Sequence, residues 1–237
     1  SKGNIAESRN LIEFTISLAE QCFLNEYIFN FKQEELEALK IIELSCRQDN
    51  STEFKIAILA CYKPIIDFVK KMPLLHQFKS KLRSFNDLLI LQLKEPETEK
   101  KISDSIICFG SIDDSVSKKV KLQYEENPYP RWRYTSHLNE NKLTIASAIN
   151  NEIRPNRITY LTKNRKSRVL IAGCGTGQQV FDANRYQNAE ITAIDLSSSS
   201  IAYAQRKVYE YRMNNIKFIQ MDILELASLN IKFDLIE

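Results

Sequence analysis

The chain has 237 residues, 43% of them apolar and 27% charged, with a formal net charge of +3. That length holds one large or two small globular domains, and the composition excludes an intrinsically disordered chain. Thirty-three basic residues scattered among thirty acidic ones give no sign of a nucleic-acid partner, and no 18-residue apolar run or signal-like start points to a membrane or to export.

The five cysteines, Cys22, Cys46, Cys61, Cys108 and Cys174, are an odd number without CxxC spacing. They suggest neither a disulfide framework nor a zinc site, and all but Cys174 are expected to fill cores on helices; the lack of an apolar run and of a signal-like start favours a cytoplasmic protein. With only His76 and His137 present, no histidine-based metal site is expected, and His76 reads as a surface or half-buried helix residue.

From Leu11 to Phe29 the apolar residues Ile12, Ile16, Ala19, Phe23 and Tyr27 recur at three and four, the spacing of one helical face. A second helix is expected from about Glu34 to Cys46. Asn50, with Glu53 three residues on, resembles a capping box opening a third helix through Ile56, Leu59 and Ala60. Pro64 either kinks that helix or starts another, and Pro73 precedes a long pattern from Leu74 to Leu93 that Glu95-Pro96 closes. Residues 1–110 are therefore read as an all-helical domain, with its helices from about residue 8. It is a bundle or the last turns of a solenoid, and no convincing 34-residue self-similarity marks tetratricopeptide repeats.

The charged passage from Glu95 to Lys101 reads as a solvated connection. Residues 111–165 form a connecting segment. In it Asp114 suits the cap of a short helix carrying Val116, Val120 and Tyr124. That helix runs into Tyr124-Glu125-Glu126-Asn127-Pro128-Tyr129-Pro130-Arg131-Trp132, where two prolines one residue apart force extended chain. The aromatic cluster is either a clasp packing the helical part onto the next domain or a lid over the ligand side of that domain. A further amphipathic helix follows from Leu143 to Ile153, stopped by Arg154-Pro155.

Beyond Ser167 the pattern alternates strand and helix: Val169–Ala172, Gln178–Tyr186, Ile191–Ile194, Ser198–Arg212 and Ile216–Gln220. This calls for a parallel sheet covered by helices, with Ile201, Ala204, Val208 and Tyr211 as the sheet-facing stripe of the second helix. Three of the five glycines fall in Gly173-Cys174-Gly175-Thr176-Gly177, just after the first strand. Glycine there permits a tight turn and lets a ligand lie against the main chain. The spacing is G-x-G-x-G, one residue short of the dinucleotide fingerprint G-x-G-x-x-G, which disfavours a nicotinamide enzyme. Asp195 ends the second strand where a ribose can be held, and Asp222 follows the third, either accepting from an adenine amino group or capping the helix begun at Ile223.

These residues resemble class I S-adenosylmethionine-dependent methyltransferases through Val169–Gly177, Ala193-Ile194-Asp195-Leu196-Ser197, Gln220-Met221-Asp222-Ile223 and Phe233-Asp234-Leu235-Ile236-Glu237. Tyr124–Trp132, with Gln92-Leu93-Lys94-Glu95-Pro96 before it, is similar to a bacterial subgroup in which such a domain follows tetratricopeptide repeats. The resemblance implies an α/β fold in which the helical domain precedes a partial Rossmann-like parallel sheet over 166–237, the first four strands of a seven-stranded methyltransferase fold. It implies S-adenosylmethionine as cofactor, with Gly173, Cys174, Gly175 and Gly177 against the methionine part, Asp195 on the ribose hydroxyls, Leu196 beside the adenine and Asp222 on its amino group. Tyr124, Asn127 and Tyr129 are the candidate lid, and Asp234 is expected to stabilise the fourth strand. Glu237 stands where the family places residues near the methyl group. The chain starts at Ser1 and stops at Glu237 within an apolar run, so both ends read as cut and the chain as a fragment that turns over poorly or not at all. The methyl acceptor is unknown, with a protein as one option, and no catalytic residue, metal or oligomeric state is indicated. A helical interaction module fused to a non-catalytic nucleotide-fold domain is the competing reading.

Overall fold

The computed structural model describes residues 2–47, 52–135, 142–158 and 166–237, with the backbone alone for residues 2–7. By its contacts the chain divides into two compact units, Ser1–Thr98 and Glu99–Glu237.

The first unit is helical. It comprises α1 (Lys2–Leu24), α2 (Gln33–Arg47), α3 (Glu53–Ala60), two 3-10 turns (Ile65–Phe68 and Pro73–Gln77), α4 (Arg83–Leu89), a π turn (Ile90–Lys94) and the start of α5 (Glu95–Ser103). Its core gathers Ile16, Ala19, Cys46, Ile56, Leu59, Ala60, Ile65, Phe85 and Leu88, so the apolar periods of the first and third helices are the faces they bury. Gln92 is wholly buried among them. Its amide donates to the carbonyls of Ala19 (2.8 Å) and Ala60 (3.2 Å) and accepts from the N–H of Ile65 (3.3 Å), joining the backbones of three segments.

Four expectations are corrected in this unit. α1 ends at Leu24, not Phe29, because Glu26 and Tyr27 both turn left-handed at φ +53°. Tyr27 still packs inward, its hydroxyl donating to Ala60 (3.3 Å). The pattern from Leu74 to Leu93 is not one helix, because Ser80 and Asn86 exchange side-chain and backbone hydrogen bonds of 3.1 and 2.8 Å that compete with the helical ladder. Nor does Pro96 close it. Its ring would collide with the carbonyl four residues back in an α-helix; the Ile90–Lys94 segment widens instead, Glu95 donating to Ile90, and α5 runs past the proline. The cap of α3 is Thr52, which accepts from Lys55 (3.3 Å), while Asn50 lies outside the described residues.

The second unit holds α6 (Ser115–Glu126), α7 (Ile145–Glu152), β1 (Ser167–Ala172), α8 (Gln178–Ala183), β2 (Ala189–Asp195), α9 (Ser198–Glu210), β3 (Ile216–Gln220), a 3-10 helix (Ile223–Leu229) and β4 (Leu235–Ile236). All four strands are parallel in the order β3-β2-β1-β4, so the direction of winding reverses beside β1. Ile216, Ile191, Val169 and Leu235 stand in one register row. Val169, Ile171, Ile191 and Ala193 bury one face against Trp132, Phe181, Ile201 and Val208; Leu170, Ile194 and Ile219 bury the other against Leu226 and Leu229. A continuous apolar run in β1 is what a strand covered on both faces requires.

The charged passage after Lys94 is helical, not a solvated link. Glu99 is buried, with Arg206 Nε at 2.7 Å and Arg131 at 3.5 Å. Cys108 is exposed and off any helix, in a segment that borders β3 through Phe109 N–H to Gln220 (2.8 Å) and Gln220 N–H to Ile107 (3.2 Å), while Cys61 is half-buried. That segment covers a strand edge that would otherwise stand open. No described helix is long and apolar enough to cross a membrane.

Candidate functional site

The site grows from the carboxyl ends of β1 and β2, at the point where the winding reverses, which is where open α/β sheets hold ligands. After Ala172 the chain passes through Gly173, Gly175 and Gly177 at φ +86°, +49° and +96°. The N–H groups of Gly173 and Cys174 both donate to Ile194 (2.9 Å each), which ties the turn to the neighbouring strand. A Cβ on Gly173 or Gly175 would meet nothing within 4 Å, so the backbone there borders open space. At Gly177 the reason for glycine differs: a Cβ would stand 2.7 Å from the Cβ of Ala204 in α9.

Asp195 faces this turn. Its Oδ2 accepts from the N–H of Gly175 (2.8 Å) and its Oδ1 from that of Ser197 (2.9 Å). A carboxylate offers about four acceptor positions, more than the neighbouring N–H groups use. Burial raises the pKa of Asp195 above the ordinary value, opposed by the N–H groups of Ser197, Gly175 and Leu196 and assisted by the charge of Glu125. Leu196 is half-buried beside it. Cys174 is buried, and burial holds its thiol well above the usual range, so it is no nucleophile at neutral pH.

Asp222 is 2% exposed and joins the same end of the sheet, since Met221 N–H donates to the carbonyl of Asp195 (2.9 Å). Its Oδ1 caps the 3-10 helix through Leu224 N–H (3.0 Å), the alternative role that its position suggests. Asp234 pairs with Arg168 in both directions, at 2.8 and 2.9 Å, and so secures β4 to β1 as expected. Glu237 continues the pairing with Leu170 and Ala172, and its carboxylate accepts from the Tyr186 hydroxyl.

The aromatic segment is docked on this same unit. Thr176 Oγ1 donates to Pro130 (2.7 Å), and Trp132 Nε1 returns a bond to the carbonyl of Thr176 (3.1 Å). Trp132 is buried edge-on to Phe181 and Tyr203, with Lys207 Nζ 5.2 Å from its ring. Tyr124 reaches the site through its carbonyl, which accepts from Ser197 Oγ (2.9 Å), and its side chain is exposed. Asn127 and Tyr129 are exposed in the same segment. Glu125 was not among the expected site residues, yet it accepts from Ser198 and Ser199 N–H (2.9 Å each) at the start of α9. Its only sequence signal is a place in an acid pair beside the proline-aromatic run.

His76 lies outside this unit, partly exposed, with Glu97 at 3.5 Å. Among the described residues no group of three or more His, Cys, Asp or Glu can hold a metal ion, and His137 lies outside them.

Residues 163–237 match the family model of a methyltransferase domain. The cofactor this match implies is S-adenosylmethionine. An uncharacterized protein of a Synechococcus strain is 30% identical over 146 residues, 53% of this chain and 30% of its own length. The malonyl-(acyl-carrier protein) O-methyltransferase of Acetivibrio thermocellus is 40% identical over 82 residues, 33% of this chain and 28% of the enzyme. An uncharacterized protein of Rickettsia prowazekii is 24% identical over 122 residues, 51% of this chain and 46% of its own. The chain thus spans less than half the length of each of these relatives. A coclaurine N-methyltransferase solved with N-methylheliamine and S-adenosylhomocysteine is 14% identical, over 81% of this chain and 50% of that one, and superposes weakly at a TM-score of 0.24.

Proposed function

We propose that the sheet unit binds S-adenosylmethionine over the Gly173–Gly177 turn and belongs to a methyltransferase. The observation that carries the reading is the closed geometry of Asp195: its two oxygens grip Gly175 and Ser197, so the turn and the ribose-side carboxylate are preset relative to one another. Open space over Gly173 and Gly175 fits a ligand lying on bare backbone. Asp195 would accept from both ribose hydroxyls, Leu196 would lie along the adenine, and Asp222 would take the adenine amino group with the oxygen its cap does not use. The turn around Gly173, Cys174, Gly175 and Gly177 would hold the methionine part, with Tyr124, Asn127 and Tyr129 covering it. The cofactor supplies a methyl group already activated on a sulfonium, so the protein's work is alignment of the acceptor and exclusion of water.

The kinship with the subgroup carrying tetratricopeptide repeats rests on Tyr124–Trp132 and Gln92–Pro96, and with it the reading that the acceptor is a protein in the cytoplasm. An intact Asp195–Gly175 bond speaks against a degenerate domain. Calorimetric titration of the chain with S-adenosylmethionine and, separately, with a nicotinamide dinucleotide tests the assignment. Binding of the first alone is expected; binding of the second alone, or of neither, overturns it.

A further inference from the structure

We infer that Glu125 and Gln220 act as a pair of positioning residues that fix the Asp195–Leu196–Ser197 loop in the shape the cofactor requires, a role that rests on the reading above. Glu125 comes from the last turn of α6, outside the sheet, and Gln220 from the end of β3. The carboxylate of Glu125 accepts from Ser198 N–H and Ser199 N–H at 2.9 Å each and from Ser198 Oγ at 3.1 Å. Gln220 is 6% exposed; its amide donates to the carbonyl of Leu196 at 2.9 Å and to Glu125 at 3.3 Å. Ser197 Oγ completes the clamp by donating to Tyr124 at 2.9 Å.

The loop is held from both sides by these bonds. Gln220 sets the orientation of the Leu196 peptide, and Glu125 ties the start of α9 to the segment that leads into the proline-aromatic run. Neither side chain donates to the turn or lies on it, so neither is a catalytic residue. The charge of Glu125 nevertheless reaches the site. Glu125 stays ionised below the usual carboxylate range: burial pushes its pKa up, but the Ser198 and Ser199 donors outweigh it. The groups facing Asp195 are that carboxylate from α6, the neutral Cys174 thiol from the turn, and the N–H groups of Gly175, Leu196 and Ser197.

The test uses the full chain and S-adenosylhomocysteine, with affinity measured by calorimetry across the acidic range and folding checked by Trp132 fluorescence. Glu125→Gln should weaken binding about tenfold, the size of coupling carried by a displaced loop. It should also move the acid limit of binding to lower pH, because Asp195 must be ionised to accept two hydroxyls and loses a repelling neighbour. A helix cap with no part in positioning would lower the melting temperature and leave that limit in place. Gln220→Ala, which keeps Glu125 and the cap, should weaken binding with the acid limit unchanged, and it decides the matter alone if Glu125→Gln does not fold. Wild-type affinity in the folded variants overturns the inference while the methyltransferase reading stands; a wild-type chain that does not bind overturns both.

Discussion

Replacing Gly177 and Gly175 by alanine separates packing from ligand binding within three residues. At Gly177 the new methyl group would stand 2.7 Å from the Cβ and 3.2 Å from the Cα of Ala204, both fixed on α9, at φ +96°. A left-handed backbone costs an L-residue about 1–2 kcal/mol and an overpacked contact that cannot swing away about 1–3 kcal/mol, so Gly177→Ala should lose about 2–5 kcal/mol. For a unit of this size that lowers the melting temperature on the order of 10 °C. At Gly175 the φ of +49° costs about 1 kcal/mol and no atom lies within 4 Å of the methyl group, so the fold should hold while the space over the turn is filled. Trp132, the sole tryptophan, lies in the core of this unit and reports its unfolding selectively. Thermal denaturation followed by its fluorescence, with S-adenosylhomocysteine titrations on the same samples, should show Gly177→Ala unstable and Gly175→Ala stable but unable to bind. Equal melting of the two variants, or full affinity in Gly175→Ala, would refute the division of roles.

Gln92→Leu should cost about 1–3 kcal/mol, because it removes the partner of the buried Ile65 N–H and takes a donor from the carbonyls of Ala19 and Ala60, the second of which keeps the Tyr27 hydroxyl, a loss read as a lower urea midpoint in far-ultraviolet circular dichroism. Glu99→Ala withdraws a buried carboxylate from Arg206, which keeps Glu210 at 3.3 Å, and should cost about 3 kcal/mol by Trp132 fluorescence in urea. Burial, with the bond to Glu237, raises the Tyr186 hydroxyl from 10.0 to about 12. A folded pKa above the unfolded one means that this group's contribution is complete below pH 10.0 and is lost as pH rises to about 12. Tyr186→Phe should flatten that part of the alkaline stability curve, and a curve identical to wild type would count against it.

The parallel strands were legible because a strand covered on both faces is written as a nearly continuous apolar run: Val169–Ala172 is unbroken, and Ile191–Ile194 is interrupted only by the β-branched Thr192. The turn was legible because three alternating glycines have few other uses. Less legible were element ends and polar partners. Pro96 reads as a stop to any local rule, and only a π turn three-dimensionally tolerated beside it lets the helix continue. The stretch from Glu95 to Lys101 reads as solvated, since a charge's burial depends on a partner 107 residues away in Arg206.

Sequence alone thus determined which segments become strands, that the Gly173–Gly177 turn follows the first of them, and which acids follow the strand ends, because these are properties of neighbouring residues. Tertiary structure decided the strand order, the partners of Glu99, Gln92 and Glu125, and the different reasons for Gly175 and Gly177. Those depend on atoms that meet only when distant segments pack, and no local pattern in the chain records which segments those are.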